Sequence, residues 1–281
     1  MCQFCAQHGD GKKWYLQAKN YSENLMSDLR RRRFIEGFLG KPEETGRAIP
    51  MMEKLDRTPG FIQRMAKAAI TRRMKKQHYG QVVPLEEIET IFGFLNSIAR
   101  IACICRRGTL GRDVGYCYAI SMAPHLGEAG KLMEEIDSSF LHGPDTHEYD
   151  ELTAEEATAA FAEHEKDGLC HTVWTFRTPY IGGICNCDRQ SCLAMQSTVV
   201  HDLKVMWRAE YVAEVDPDLC TGCRSCMRLC QFGALTFTPA DRKVEVDQRA
   251  CYGCGVCRSA CSNGAITLRE RAEVPAVAGL W

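Results

Sequence analysis

The chain of 281 residues lacks the marks of a membrane, fibrous or nucleotide-binding protein. No apolar run approaches the roughly 20 residues that a bilayer-spanning helix needs. Hydrophobic residues make up 45% and charged residues 25%, a globular balance that excludes long disorder and collagen-like structure. There is no G-x-G-x-x-G, Walker or G-x-S-x-G motif, and Gly108-Thr109-Leu110-Gly111 is too short for a phosphate loop. Glu134-Glu135 and Glu155-Glu156 are adjacent pairs, whose side chains point apart on a helix, so they do not suit paired-carboxylate chemistry. No apolar export segment follows Met1-Cys2-Gln3-Phe4-Cys5. Arg31-Arg32-Arg33-Phe34-Ile35 has the outline of a twin-arginine signal. The charged Glu36, Lys41, Glu43 and Glu44 behind it make it read as a solvated helix face.

What is abundant is cysteine, 17 residues. The chain is too long for a small disulfide scaffold, and an odd number of thiols cannot all pair internally. The reading that remains is metal binding in a reducing cytoplasm. Charge is divided along the chain. Residues 1–80 hold 17 Lys+Arg against 8 Asp+Glu, whereas residues 81–281 hold 18 against 28. The two ends should therefore prefer different partners.

Helical spacing of apolar residues over 20–39 and 61–78, and from Pro84-Leu85-Glu86-Glu87 onward, predicts a helical beginning. The apolar stretch 98–105 reads as a buried strand. Thr153-Ala154-Glu155-Glu156 fits a capping box that opens a helix ending near Gly168. Residues 171–176 alternate like a strand, and Gly182-Gly183 is expected to break the chain before Cys185. Residues 134–151, with His142 and His147, read as an acidic surface loop.

A repeat dominates the C-terminus. Cys220-Thr221-Gly222-Cys223-Arg224-Ser225-Cys226-Met227-Arg228-Leu229-Cys230 returns 31 residues later as Cys251-Tyr252-Gly253-Cys254-Gly255-Val256-Cys257-Arg258-Ser259-Ala260-Cys261. Each copy is C-x2-C-x2-C-x3-C. Three thiolates on one tight loop match the corners of a cubane, and the fourth points the other way. A zinc ribbon is the alternative, but it needs four thiolates per ion and this loop crowds three together. The segment resembles the bacterial two-[4Fe–4S] ferredoxins. The resemblance implies one cluster on Cys220, Cys223, Cys226 and Cys261, and a second on Cys251, Cys254, Cys257 and Cys230. One departure is that Gln231 and Ser262 stand where proline usually follows the fourth cysteine. Each supplies a backbone N–H whose donation to sulfur would raise a cluster potential.

Beyond these lie Cys2, Cys5, Cys103, Cys105, Cys117, Cys170, Cys185, Cys187 and Cys192. Cys170 reads as a buried core thiol. Cys103-Ile104-Cys105-Arg106 and Ile184-Cys185-Asn186-Cys187 resemble the C-x-C-R and I-C-N-C elements of a group of longer iron–sulfur proteins. In that group a cysteine-rich domain precedes the ferredoxin module. Asp188 stands where another cysteine would be expected. A third cluster on four of Cys103, Cys105, Cys117, Cys185, Cys187 and Cys192 competes with zinc, a reversible disulfide and unligated core thiols. Cys2 and Cys5 either clip a further site, with a fourth cluster arithmetically allowed, or belong to a frayed end. His171 is a candidate ligand or a hydrogen-bonded strand-end residue.

The expected class is α+β: a basic helical N-terminal region over 1–96, a cysteine-rich mixed α/β domain over 97–207, a ferredoxin-like (βαβ)2 domain over 208–271 and a tail over 272–281. The expected role is a cytoplasmic electron-transfer subunit of anaerobic metabolism rather than a stand-alone catalyst. Its basic helices would dock on a larger redox enzyme, such as reductase or electron-bifurcating subunits. Two rivals are an oxidoreductase with its own substrate site in the middle domain and a redox-responsive nucleic-acid binder. An apolar pocket beside Cys103 and Cys185 would favour the first, and salt-dependent nucleic-acid binding the second.

Overall fold

Strand-type alternation between residues 80 and 207 draws most of the chain into one sheet. A computed structural model describes residues 13–112, 114–136, 141 and 150–280. Cys2, Cys5, His142 and His147 lie outside the described residues. The strands are β1 (Gly80–Val82), β2 (Ser97–Ile101), β3 (Cys117–Ser121), β4 (Asp150–Leu152), β5 (Cys170–Thr175), β6 (Ile181–Cys187) and β7 (Met206–Trp207). They lie in the order β4-β2-β3-β6-β5-β1-β7. All neighbours are antiparallel except β1 and β7. The helices are α1 (Leu29–Leu39), α2 (Pro42–Gly46), α3 (Ala48–Asp56), α4 (Gly60–Gln77), α5 (Leu85–Phe92), α6 (Ile104–Leu110), α7 (Gly127–Glu135), α8 (Ala154–Lys166), α9 (Leu193–Met195) and α10 (Ser225–Leu229). Helices and sheets together make the fold α+β. No helix among the described residues is long and apolar enough to cross a membrane.

Period-two alternation sorts the sheet's side chains into two classes. Ile98, Tyr118, Ile120, Val173 and Ile184 face α5 and α8, packing with Ile88, Ile91, Phe92 and Phe161. Each such burial contributes about 1.5–3 kcal/mol. Helix α8 begins where the sequence indicates: the Glu156 N–H donates to Thr153 Oγ1 at 3.2 Å, and the Thr153 N–H donates to the Glu156 carboxylate at 2.9 Å. The opposite face carries Ala99, Ile101, Cys117 and Ala119 toward α1, and Cys170, Trp174 and Cys187 toward α3 and α9.

Three local expectations are corrected. Residues 20–27 form short 3-10 turns rather than the start of α1. The Asn20 amide and Tyr21 hydroxyl turn back onto the carbonyls of Trp14 (2.8 Å) and Tyr15 (2.6 Å), and Asp28 caps the true helix by accepting the Arg30 N–H at 2.8 Å. The apolar stretch after Ile98 leaves the sheet at Ile101, and Cys103 becomes the N-cap of α6. Gly182 and Gly183 do not break the chain. They lie inside β6, where rings cross the strand: a Cβ on Gly182 would come within 2.9 Å of the Tyr180 ring. The sheet also crosses the boundary expected at 96/97. Strand β1 pairs with β5, and Gly80 lets the Trp174 indole lie against the backbone, where a Cβ would be 2.7 Å away.

The repeated segment forms two ribbons. β8 (Tyr211–Val215) pairs with β11 (Ile266–Glu270), and β9 (Leu235–Thr238) pairs with β10 (Lys243–Val246). The first strand of the segment thus pairs with its last, closing the two repeats around Val212, Ala234, Leu235, Val244, Ala265 and Ile266. The module is seated on the sheet domain by several contacts. Arg258 grips the Glu86 carboxylate at 2.5 and 2.9 Å, the Tyr211 hydroxyl donates to Glu87 at 2.9 Å, and Lys13 reaches Glu270 at 2.8 Å.

Candidate metal centres

In the C-terminal module, glycine decides the loop shape. Gly222 and Gly253, third in each motif, have φ of +69° and +72°, and a Cβ at either would collide with a carbonyl oxygen, Arg242's or Tyr211's. Only glycine fits both demands. The loops turn the cysteines inward. Cys220, Cys223, Cys226 and Cys261 bound one cavity. In the second group, burial pushes the Cys257 thiol well up, with Cys254, Cys251, Cys230 and Cys226 as its charged neighbours. Cys226 of the first group acts electrostatically on Cys257 of the second. Backbone N–H groups aim at the sulfurs: Ala213 and Gly253 at Cys251 (3.4 Å each), Ala234 at Cys230 (3.3 Å) and Ala265 at Cys261 (3.3 Å). The donors to the two fourth cysteines are therefore Ala234 and Ala265, not the expected Gln231 and Ser262. Gln231 has another use. Its amide donates to the Gly168 carbonyl at 2.8 Å and accepts the Arg189 N–H at 2.9 Å, tying the module to the sheet domain.

The middle-domain thiols come together by sheet register. Cys117 and Cys185 are Cα partners across β3 and β6, and Cys170 and Cys187 are partners across β5 and β6. Partners share a face, and so do residues two apart on a strand. The intervening Asn186 serves the opposite face: its Oδ1 takes a hydrogen bond from His171 Nδ1 at 2.7 Å and its Nδ2 donates to the Tyr116 carbonyl at 3.3 Å. The C-N-C triplet thus places two thiols on one face and an anchoring amide on the other. From the helix side, Cys103, Cys105 and Cys192 close over them. Hydrogen bonds link Cys185 to Cys117, Cys117 to Cys103, Cys103 to Cys105 and Cys105 to Cys192. The Cys192 and Cys187 sulfurs are 3.3 Å apart. All six thiols are free and buried or half-buried.

Charge at this site is managed by Arg106, which is 3% exposed. Its guanidinium pairs with the Asp188 carboxylate and donates to Ser191 Oγ (2.8 Å), the Asn186 carbonyl (3.2 Å) and Cys103 Sγ (3.5 Å). Asp188, standing where a cysteine would be expected, orients this cation. Hydrogen bonds from Cys105 and Cys117, with Arg106 adding its charge, pull the Cys103 thiol well below its usual range. Bonds from Cys105 and Cys187 do the same for Cys192. These two favour thiolate, the form that ligates metal. Shared bonds and burial instead push Cys105, Cys117 and Cys187 well up, and Cys185, despite its bond with Cys117, is raised by burial. Among the described residues, no three His, Cys, Asp or Glu side chains close around a point as a single metal ion requires. The six thiols form a chain of contacts along one face of the sheet.

The sequence reads Cys170 as a core thiol and leaves His171 between a ligand and a strand-end role. Cys170 is buried, but its sulfur bonds to Cys254 of the module and senses Cys192 and Cys230. No local pattern marks it, since only the β5–β6 register brings it there. His171 points away from the thiols, against the Phe161 ring, and burial holds it down to about 4. It is the strand-end histidine, not part of the thiol group. Neither Cys2 nor Cys5 lies among the described residues.

Among curated proteins none matches the chain. The 4Fe-4S dicluster domain family matches residues 213–262, a span containing all eight cysteines of the doubled motif. That segment is a ferredoxin-type module carrying [4Fe–4S] chemistry, and it makes this chain an iron–sulfur protein with an electron-transfer role.

Proposed function

We propose that the chain is a relay subunit for single electrons. Two [4Fe–4S] clusters, held by Cys220, Cys223, Cys226 and Cys261 and by Cys251, Cys254, Cys257 and Cys230, exchange electrons with a third on four of Cys103, Cys105, Cys117, Cys185, Cys187 and Cys192. Bound clusters supply reversible one-electron chemistry, and the chain supplies spacing, charge and exclusion of water. The supporting observation is a run of neighbouring thiols: Cys226 and Cys254 act electrostatically on Cys257 within the module, the Cys254 sulfur bonds to Cys170 across the interface, and Cys187 lies opposite Cys170 on the sheet and bonds to Cys192. Reduced thiols in this number suit the cytoplasm. A larger oxidoreductase of anaerobic metabolism is the partner we infer. Helix α4 buries none of its residues and exposes Phe61, Ile62 and Met65 among Arg64, Arg72, Arg73 and Lys76, a face fit for an acidic protein surface.

Anoxic purification with iron and sulfide quantitation tests this. About twelve irons per chain are expected, at four per cluster, falling by about four in a Cys103→Ser/Cys185→Ser variant. A yield of about eight removes the third centre, and about sixteen would add one at Cys2 and Cys5. Zinc in place of iron would end the reading altogether.

A second reading, an oxidoreductase with its own substrate site, is favoured by one observation. An apolar cavity of about 350 Å³ has all six middle-domain thiols in its wall.

A further inference from the structure

The cavity lies between the cysteine-bearing face of the sheet and helices α1, α3 and α4, and its 350 Å³, part of which a third centre on its thiols would take, falls within the range of small-molecule sites. Protein interiors hold few voids larger than a water molecule, so a space of this size is either filled or strongly disfavoured. A metal centre would account for the thiol-bearing wall. It does not account for the rest, because Ile35, Phe38, Met52, Met74 and Trp174 offer nothing to iron. No Asp, Glu, Lys or Arg lines the space among the described residues, so a charged ligand would be buried without a counter-ion.

One hydrogen-bond donor marks where a ligand would be held. Tyr180 lines the cavity, is 1% exposed, and its hydroxyl has no hydrogen-bond partner among the described residues. Buried hydroxyls are almost always paired. The ring is fixed, with Arg31 over one face at 5.6 Å and Gly182 beneath. His78 also lines the cavity. Its Nδ1 bonds the Thr175 carbonyl at 2.6 Å, which leaves Nε2 as an acceptor, and its ring stacks on Trp174 at 4.9 Å.

We propose that this cavity binds an uncharged, largely apolar carbonyl compound, with its oxygen on the Tyr180 hydroxyl and its hydrocarbon body against Phe38, Met52, Met74 and Trp174. The proposal deepens the second reading above and rests on it for any electrons the ligand would receive, whereas binding itself needs none. Met51, 62% exposed at the rim, gives the space an outlet to solvent.

The test uses the full, iron-loaded chain, purified anoxically and titrated calorimetrically with acetophenone, an uncharged aromatic ketone, and with ethylbenzene, its hydrocarbon counterpart. Both should bind one per chain. Tyr180→Phe should weaken acetophenone about fivefold, the worth of one neutral hydrogen bond, and leave ethylbenzene within about twofold. Met52→Trp, which fills the space, should abolish both, and Ala48→Phe serves as a second filler should that variant lose its iron. No saturable binding to the iron-loaded chain overturns the proposal, as does binding seen only after iron is stripped, or a ketone affinity indifferent to Tyr180→Phe. An iron count near eight with the binding pattern intact would sink the third centre alone, so the two failures are distinguishable.

Discussion

In the C-terminal module the cysteines arrive on two loops, 220–230 and 251–261, and backbone N–H groups close on four sulfur contacts within it. In the sheet domain the six thiols come from segments spread over 103–192, and their contacts from outside the group mix side chains, Arg106 at Cys103 and Thr172 at Cys187, with the backbone N–H groups of Arg106 and Met195. The first design stores its information in glycine positions and short spacings. The second stores it in strand register and in one buried cation. A loop of the first kind depends on a few consecutive residues being right. A site of the second kind requires the whole sheet to be in place before any ligand set exists, so it should be the more fragile and the more responsive to distant change.

The largest test of that difference is Arg106→Ala. The substitution leaves the Asp188 carboxylate and the Cys103 thiol without their cation in a dry setting. Breaking a buried pair on one side costs about 3–5 kcal/mol. Chemical denaturation of the sheet domain should shift by that amount, and the iron beyond the module's share should be lost while the module's own is kept. Arg106→Lys should recover only part, since an ammonium cannot reproduce the fork of bonds to Ser191, Asn186 and Asp188. Equal loss of iron from both regions would erase the distinction.

The same difference explains what could be read from the sequence. The module was legible almost residue by residue, because C-x2-C-x2-C-x3-C is local chemistry and its repetition is visible in the text of the chain. The capping box at Thr153 and the strand around Val173 were legible for the same reason. The six thiols could be nominated from their pairing with Arg106 and Asn186, but their mutual contacts depend on which strands neighbour each other, as with Cys117 opposite Cys185. Cys170 was legible as a buried thiol, but not its place opposite Cys187, which exists only in the folded sheet. Gly182-Gly183 misled because two glycines usually mark a turn. Here they make room for the Tyr180 and Phe176 rings. The roles of Asp188 and Gln231 were visible only as departures from a pattern.

Acid should separate the two regions less sharply. His78, His164 and His171 in the sheet domain are held down to about 4 by burial, which disfavours the charged imidazolium. Between that value and the unfolded 6.5, the unfolded chain binds more protons than the folded one. Stability is therefore fully present above about 6.5 and falls as pH drops toward 4. Each histidine contributes a slope of about 1.4 kcal/mol per pH unit. No histidine occurs beyond His201, so the module carries none of this sensitivity. Unfolding followed between pH 7 and 5.5 should show the sheet domain weakening first. His78→Gln with His164→Gln should lower the slope and leave the share of His171, and a module that fails in step with the sheet domain would contradict this account.

The smallest effect concerns the seam where the two designs meet. Gln231 occupies the position after Cys230, yet its side chain serves the sheet domain, holding the Gly168 carbonyl and the Arg189 N–H. Gln231→Ala removes both bonds at about 0.5–1.5 kcal/mol each, while Arg258 with Glu86 and the stacked Phe232 and Tyr252 rings, 4.1 Å apart, remain. The module should stay folded and loaded. Hydrogen exchange should quicken at Arg189, and transfer between the module and the sheet-domain centre should slow, because the Cys170–Cys254 contact lies across this seam. Gln231→Pro should loosen the seam equally, since the Cys230 sulfur draws its backbone bond from Ala234 and not from residue 231. If the proline variant instead lowered the potential of the cluster at Cys230 while leaving exchange at Arg189 untouched, residue 231 would belong to the loop's local chemistry and not to the docking of one region on the other.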